Sequence, residues 1–333
     1  MNPLRFSRRS GLSRTLGLAA LLGLGFASTA AVAADPWVPE RVVHIVSPSP
    51  PGGGTDAVAR LLATKLGELA KWQVVVDTKP GAGNNIGLEF GARSAPDGYT
   101  AVLGETSNLT VNQFLYKKLG FDPVKDLTPV ALVGTGVSVL VVNAASPYRS
   151  LDALLAAAKT KELTYASSGN GTVGHLVAEN LRVTRGVSLL HVPYKGGGPA
   201  MADMLGGQVD FYVSSLVSAV PLIKDGKLRA LAVTSGARDP LLPDVPTFIE
   251  SGHAGFEYYT LYGVVVPART PDNIVTTMNR EINRVLEAPG VKANLAARGI
   301  YTKPGTPAEF NAFLHSERAK WGALVKATGA TAE

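Results

Sequence analysis

RVVHIVSPSPPGGGTDAVARLLATKL, residues 41–66, places a strand, a tight loop and a helix in immediate succession. The run from Arg41 to Ser47 is rich in β-branched residues and ends at Pro48, Pro50 and Pro51 with Gly52, Gly53 and Gly54, which reads as a strand entering a loop. Val58, Leu61, Leu62, Leu66 and Leu69 then recur at helical spacing, with Thr55 placed to cap the first turn. A strand feeding a helix through glycines is the building unit of an α/β sheet, and the rest of the chain repeats it.

Outward from this unit, strands are predicted at 73–77, 100–104, 163–167, 188–192, 211–213 and 228–233, with helices at 150–158, 175–183, 199–205 and 216–224 between the later ones. Strands separated by helix-length segments argue a doubly wound α/β fold with largely parallel sheets. Two longer apolar strands, Thr128 to Asn143 and Tyr258 to Val266, flank a self-contained α/β middle. Pro240, Pro243, Asp244 and Pro246 form a rigid loop before the second of them, and Phe310, Phe313, Leu314, Trp321 and Leu324 share one face of a C-terminal helix that packs on the body.

With 333 residues, 46% hydrophobic and 17% charged, the chain can bury at least one full core, and intrinsic disorder is excluded as its main state. The formal charge of +6 suggests a nucleic-acid partner until the charges are located. Residues 1–33 carry Arg5, Arg8, Arg9 and Arg14 and no acid, so removing these four from the 32 basic residues leaves 28 against 26 acids. That near-neutral body has no basic run and no electrostatic footprint for nucleic acid. The same segment continues into an apolar stretch from Leu16 to Ala27 and ends in Ala31-Val32-Ala33, the plan of a secretory signal peptide. The apolar stretch is too short to span a bilayer. Ser7-Arg8-Arg9 also resembles a twin-arginine signal, so either export route is open. Either predicts an exported protein without membrane insertion. The chain has no cysteine, which excludes disulfides and thiolate chemistry.

Ligands of an open α/β sheet bind beyond the carboxyl ends of its strands, where this sequence has three glycine-rich loops. Pro48 to Asp56 (PSPPGGGTD) leaves main-chain N–H groups unobstructed at a helix start and can hold an anion, although a plain turn accounts for it too; no Lys-Ser/Thr pair follows to make it a nucleotide loop. Pro80 to Gly87 (PGAGNNIG) adds Asn84 and Asn85, as ligand donors or as caps of their own turn. Ser167 to Gly174 (SSGNGTVG) contains the dinucleotide pattern G-x-G-x-x-G, but the next strand ends in HVPYK, residues 191–195, without the acid that would bind a ribose. His44, His175, His191, His253 and His315 are scattered, which argues against a metal site, and no G-x-S-x-G elbow occurs. An exported α/β hydrolase or esterase remains as the alternative class.

Several of these stretches together resemble one family. PSPPGGGTDAVARLLATKL (48–66), KPGAGNNIG (79–87), APDGYT (95–100), LTYASSGNGTVGHL (163–176), HVPYKGGGPAMADMLGGQVDF (191–211) and LPDVPT (242–247) are similar, in order, to the Bug proteins, the extracytoplasmic solute-binding proteins of tripartite tricarboxylate transporters. The resemblance implies a periplasmic protein, monomeric and without cofactor, of a Gram-negative cell. It implies a clamp of two doubly wound domains, residues 35–135 plus 255–333 and residues 136–254, that captures a small organic acid for membrane permease subunits. Such proteins hold carboxylates with main-chain amides, hydroxyls and ordered water. Carried over by position, the first domain offers Ser49, Gly52, Gly53, Thr55 and Asp56 with Asn84 and Asn85, and Glu105 and Ser107 lie past a strand end. The second offers Ser167, Ser168, Gly169, Gly171, Thr172 and His175, with Tyr194, Lys195 and Asp210 near the cleft or hinge. Arginines such as Arg60 and Arg182 fall in helices, away from these loops. The sequence departs from the family pattern at Asn84, Glu105, Leu109 and Gly174. Glu105 is the departure closest to ligand selection: it pairs with Lys195, selects ligands with an amine, amide or several hydroxyls, or points to solvent.

Overall fold

The computed structural model describes residues 36–332; the proposed signal segment lies outside the described residues. In chain order the elements are β1 (Val43–Ser47), α1 (Gly54–Leu69), β2 (Val74–Thr78), α2 (Asn85–Ala92), β3 (Thr100–Glu105), a π-helical turn Ser107–Val111, α3 (Asn112–Leu115), β4 (Leu127–Asn143), α4 (Leu151–Ala158), β5 (Leu163–Ser167), α5 (Val173–Arg185) and β6 (Leu189–Pro193). They continue as α6 (Gly197–Leu205), β7 (Phe211–Ser215), α7 (Leu216–Lys224), β8 (Leu228–Val233), β9 (Tyr259–Pro267), α8 (Asp272–Glu287), α9 (Pro289–Ala296), β10 (Ile300–Thr302) and α10 (Pro307–Thr328). Among the described residues no helix is long and apolar enough to cross a membrane.

The strands form two sheets that share β4. The first runs β2-β1-β3-β9-β4, with β10 on β4, and the second runs β6-β5-β7-β4, with β8 on β4. Pairings among β1, β2 and β3, and among β5, β6 and β7, are parallel, as strand–helix alternation dictates. The pairings of β4 with β7, β8, β9 and β10, and of β3 with β9, are antiparallel, so the sheets are less parallel than the alternation implied. An apolar run fixes that a strand is buried but not its direction, and β4 and β9 run as long crossing strands rather than as members of a β-α-β unit.

Each parallel set is held by helices whose apolar stripe turns inward. Val58, Ala59, Leu62, Ala63 and Leu66 of α1 are buried beside Val43 and Ile45 of β1 and Ile282 and Val285 of α8. On the other side Leu176, Val177 and Leu181 of α5 pack with Tyr165, Phe211 and Val213. α10 serves both cores. It starts on a capping box in which Thr306 and Glu309 satisfy each other's backbone N–H groups. Its Phe310 and Leu314 pack with Leu109 and Leu132 of the first half, whereas Trp321, Leu324 and Val325 join the core around α5. Between these contacts the buried Arg318 donates to the carbonyls of Leu109 and Pro123. Just past the helix, the Ala332 carbonyl accepts from Asn170 in the third glycine-rich loop. The aromatic face expected to pack on a single body therefore spans two cores.

Candidate ligand-binding cleft

The loops after β1, β3, β5 and β6 all leave the carboxyl ends of their strands, and two close approaches bring loops of the two sheets together. A Cβ added to Gly171 would stand 2.5 Å from Asn112 Oδ1 and 2.8 Å from Leu115 Cδ1, and one on Gly196 would stand 3.6 Å from Pro50 Cγ. Gly171 also has φ +80°, where a side chain is strained, so both its backbone and its neighbours require glycine.

In the first loop the cap of α1 is Gly53, with no side-chain capping bond, and Thr55 does not cap as its position suggested. Its hydroxyl instead donates to Glu105 Oε2 at 2.7 Å. Glu105 Oε1 accepts from Ser107 Oγ at 3.0 Å and from the Asn84 carboxamide. One carboxylate at the end of β3 thus ties together the starts of α1 and α2 and the π-helical turn. Asn84 can serve it because it sits in the left-handed region, φ +69°, which asparagine tolerates better than most residues. No ion pair joins Glu105 to Lys195, which is exposed, and the charge is met by neutral donors. Beneath the loop Tyr262 is buried, and burial together with the Glu105 charge pushes its hydroxyl pKa up, so it stays protonated. Asp56 is also buried. Its Oδ2 accepts from the Gly52 N–H at 3.1 Å and from Arg60 Nε at 2.9 Å, while Oδ1 has no hydrogen-bond partner. Arg60, expected to keep clear of the loops, reaches back one helical turn to this carboxylate.

Two residues unremarked in the sequence complete this wall. The π-helical turn buries Asn108 and delivers Asn112. Asn108 accepts from the Glu105 N–H and donates to the Asn84 carbonyl. Asn112 Nδ2 donates to the Gly83 carbonyl at 2.9 Å and to Asn85 Oδ1 at 2.7 Å. That leaves Asn85 Nδ2 and Asn112 Oδ1 buried without partners, one donor and one acceptor, where the first wall meets Gly171. Polar apolar-flanked residues in a short irregular turn carry no periodic signal, which is why the sequence did not flag them. The departure at Leu109 is a core residue packed with Phe310.

The opposite wall is organised by rings. Phe211, Tyr165, His191 and His175 stack in a column with centroids 5.5, 4.8 and 4.2 Å apart. Burial lowers the His175 pKa to about 4. Burial and the neighbouring His175 lower that of His191 to about 3. Both are neutral imidazoles at neutral pH. His175 Nδ1 accepts the Gly171 N–H at 3.1 Å, which places the ring proton on Nε2 and pins the glycine loop. Ser167 Oγ lies 2.6 Å from His191 Nε2, and Ser168 Oγ bonds the buried Tyr212 hydroxyl. The Thr172 hydroxyl donates to the Gly169 carbonyl at 2.8 Å, so it closes the loop rather than capping α5. Gly174 fits because a Cβ there would collide with the Val213 carbonyl; the absence of a side chain lets α5 sit directly on β7.

The remaining candidates lie farther out. Tyr194 donates through its N–H to the Ser167 carbonyl, but its hydroxyl turns to Asp203 at 2.6 Å. Ser49 is buried and accepts from Ser47 Oγ through its carbonyl. Asp210 sits at the amino end of β7, where its carboxylate accepts from the Thr164 N–H and hydroxyl; it belongs to the strand ends opposite the glycine loops, not to the cleft. The Ser167–His191 contact has the elements of a hydrolytic pair. Ser167 is fully buried, however, and its hydroxyl is engaged with its own loop at Gly169.

Comparison with known proteins places this geometry. Residues 58–330 match the family model described as tripartite tricarboxylate transporter family receptor. The Bordetella pertussis protein BugT is 36% identical over 94% of this chain and 98% of its own. An R. palustris protein solved with adipate superposes with a TM-score of 0.85 at 32% identity, covering 88% of this chain and 99% of that one. MatC from Rhodopseudomonas palustris, solved with malate, gives 0.81 at 30% identity over 86% of this chain and 100% of its own. The matched family is one of transporter receptors, not of enzymes, which removes the hydrolase alternative. The two-sheet α/β architecture with its facing glycine loops is that of a transporter receptor, and this chain belongs to the tripartite tricarboxylate transporter receptor family, with the Bug proteins among its members.

Proposed function

We propose that this chain is a periplasmic solute-binding protein that captures a small carboxylate and presents it, as a monomer, to the permease subunits of a tripartite transporter. The observation that carries the reading is the meeting of two glycine-rich loops at the carboxyl ends of two parallel strand sets, lined by N–H, hydroxyl and carboxamide groups. Arg60, the guanidinium that reaches the first loop, is paired with Asp56. A carboxylate would be held by neutral donors, in keeping with relatives solved with adipate and malate. We take residues 35–135 plus 255–333 as one lobe and 136–254 as the other, joined through β4 and β9. Ligand closes the lobes because each contributes half of the donors. The signal segment directs export and is removed by cleavage after about Ala33.

Calorimetry of the mature protein against adipate, malate and citrate tests the reading. One-to-one binding without chemical change of the ligand is expected, together with compaction in small-angle scattering. Absence of heat and of any melting shift across a broad organic-acid panel would overturn it.

A further inference from the structure

The loop cluster of the first sheet carries more negative charge than a site for acids calls for. Glu105 stands at the carboxyl end of β3, half-buried, with Thr55, Asn84 and Ser107 donating to it and, among the described residues, no cation within ion-pair distance. Lys195, the cation on the facing loop, forms no ion pair with it. Asp56, 2% exposed, keeps Oδ1 without a partner in the same cluster, and its charge is matched by Arg60 through Oδ2. The ring column of the wall opposite is neutral, with His175 buried and His191 half-buried and stacked on it, and Lys195 is exposed at its edge. One uncompensated negative charge therefore remains beside the place where the loops meet, and a like charge set against it on a ligand is strongly penalised.

We propose that Glu105 determines the ligand class: the site takes a carboxylate whose other end carries a hydrogen-bond-donating nitrogen, an ammonium or an amide, in preference to a second carboxylate. The inference rests on the carboxylate-binding reading above and adds polarity to the site. The ligand carboxylate goes to the first-turn N–H groups of α5 on the facing wall, and the nitrogen goes toward Glu105. The three donors on Glu105 fix the carboxylate in place without cancelling its charge. This arrangement discriminates between ligands more sharply than a mobile surface acid would.

Matched ligand pairs test it on the unmodified protein. Adipate is compared with adipamate and its ω-amino counterpart, and succinate with succinamate and β-alanine, by calorimetry. The expected result is that the nitrogen-bearing partner binds about 10- to 100-fold more tightly than its dicarboxylate. In Glu105→Gln the preference should shrink to about threefold, chiefly because the dicarboxylates gain affinity. The glutamine keeps an acceptor for Asn84 and Ser107, and the Thr55 hydroxyl can turn to accept from its amide. If dicarboxylates bind the wild type as tightly as their nitrogen analogues, the inference is wrong. Equal weakening of every ligand in Glu105→Gln would also overturn it, leaving Glu105 as a loop organiser. Should that variant not fold, the wild-type ranking decides alone. If no compound of either kind binds the wild type, the carboxylate reading itself fails and this inference falls with it, a result distinct from a reversed ranking.

Discussion

The loop at residues 48–56 and the loop at residues 167–174 solve the same backbone problem with opposite electrostatics. Both follow a strand of a parallel set, both end at a helix start, and in both the glycine N–H groups are held by the loop's own neighbours. The first is pinned by carboxylates: Asp56 grips the Gly52 N–H, and Glu105 gathers Thr55, Asn84 and Ser107. The second is pinned by neutral groups: His175 accepts from Gly171, Ser167 engages Gly169 and His191, and Thr172 closes on Gly169. An anion arriving at the second loop meets no opposing charge, whereas one arriving at the first must pass two acids. Similar loop sequences can therefore have unequal affinity for the two ends of a ligand.

Acid should separate the two loops most strongly. The folded pKa of His175, about 4, lies below its ordinary 6.5, so the unfolded chain binds the extra proton first. Stability is full above pH 6.5 and falls as pH drops toward 4, by about 1.4 kcal/mol per unit and about 3 kcal/mol across that window. His191, stacked on it, adds to the loss in the same direction. Thermal melts of wild type and His175→Gln from pH 7 to 4 check this: the variant should show a visibly shallower decline, and parallel curves would assign the acid sensitivity elsewhere.

A smaller effect is expected from the charged loop. Asp56→Ala removes the acceptor of a main-chain N–H and should cost about 2 kcal/mol in urea unfolding at neutral pH. Smallest is Thr172→Val, which removes one hydrogen bond to Gly169 and should cost about 1 kcal/mol of stability. Because that hydroxyl already donates within its loop, ligand affinity should change less than stability does; a tenfold loss of affinity with unchanged melting would show that it serves the ligand directly.

Much of this comparison was legible before any coordinates. Strand and helix alternation located β5, α7 and β8 to the residue, because their apolar runs are bounded by glycine, proline and charged residues. The glycine loops announced themselves by composition. Partnership was not legible. Nothing in the sequence says that Thr55 reaches Glu105 instead of its own helix, that Arg60 turns back to Asp56, or that Asp210 faces the opposite strand ends. Each depends on which strands are neighbours, and β4 and β9 insert themselves between the two parallel sets in an order that side-chain pattern does not encode. Asn108 and Asn112 were missed for a related reason: a π-helical turn has neither the helical nor the strand period.

α10 turns the residues that follow it into a working part. The helix leaves the first core, is held midway by Arg318, buries Trp321 beside α5, and delivers the Ala332 carbonyl to Asn170 within the second loop. Ala332 therefore lies one hydrogen bond from the second glycine loop. For anyone handling the protein, an affinity tag placed just beyond Ala332 is not a passive handle, because it is attached next to a residue bonded to the second glycine loop. The same bond makes the segment after α10 a sensible place for a fluorophore intended to report ligand capture.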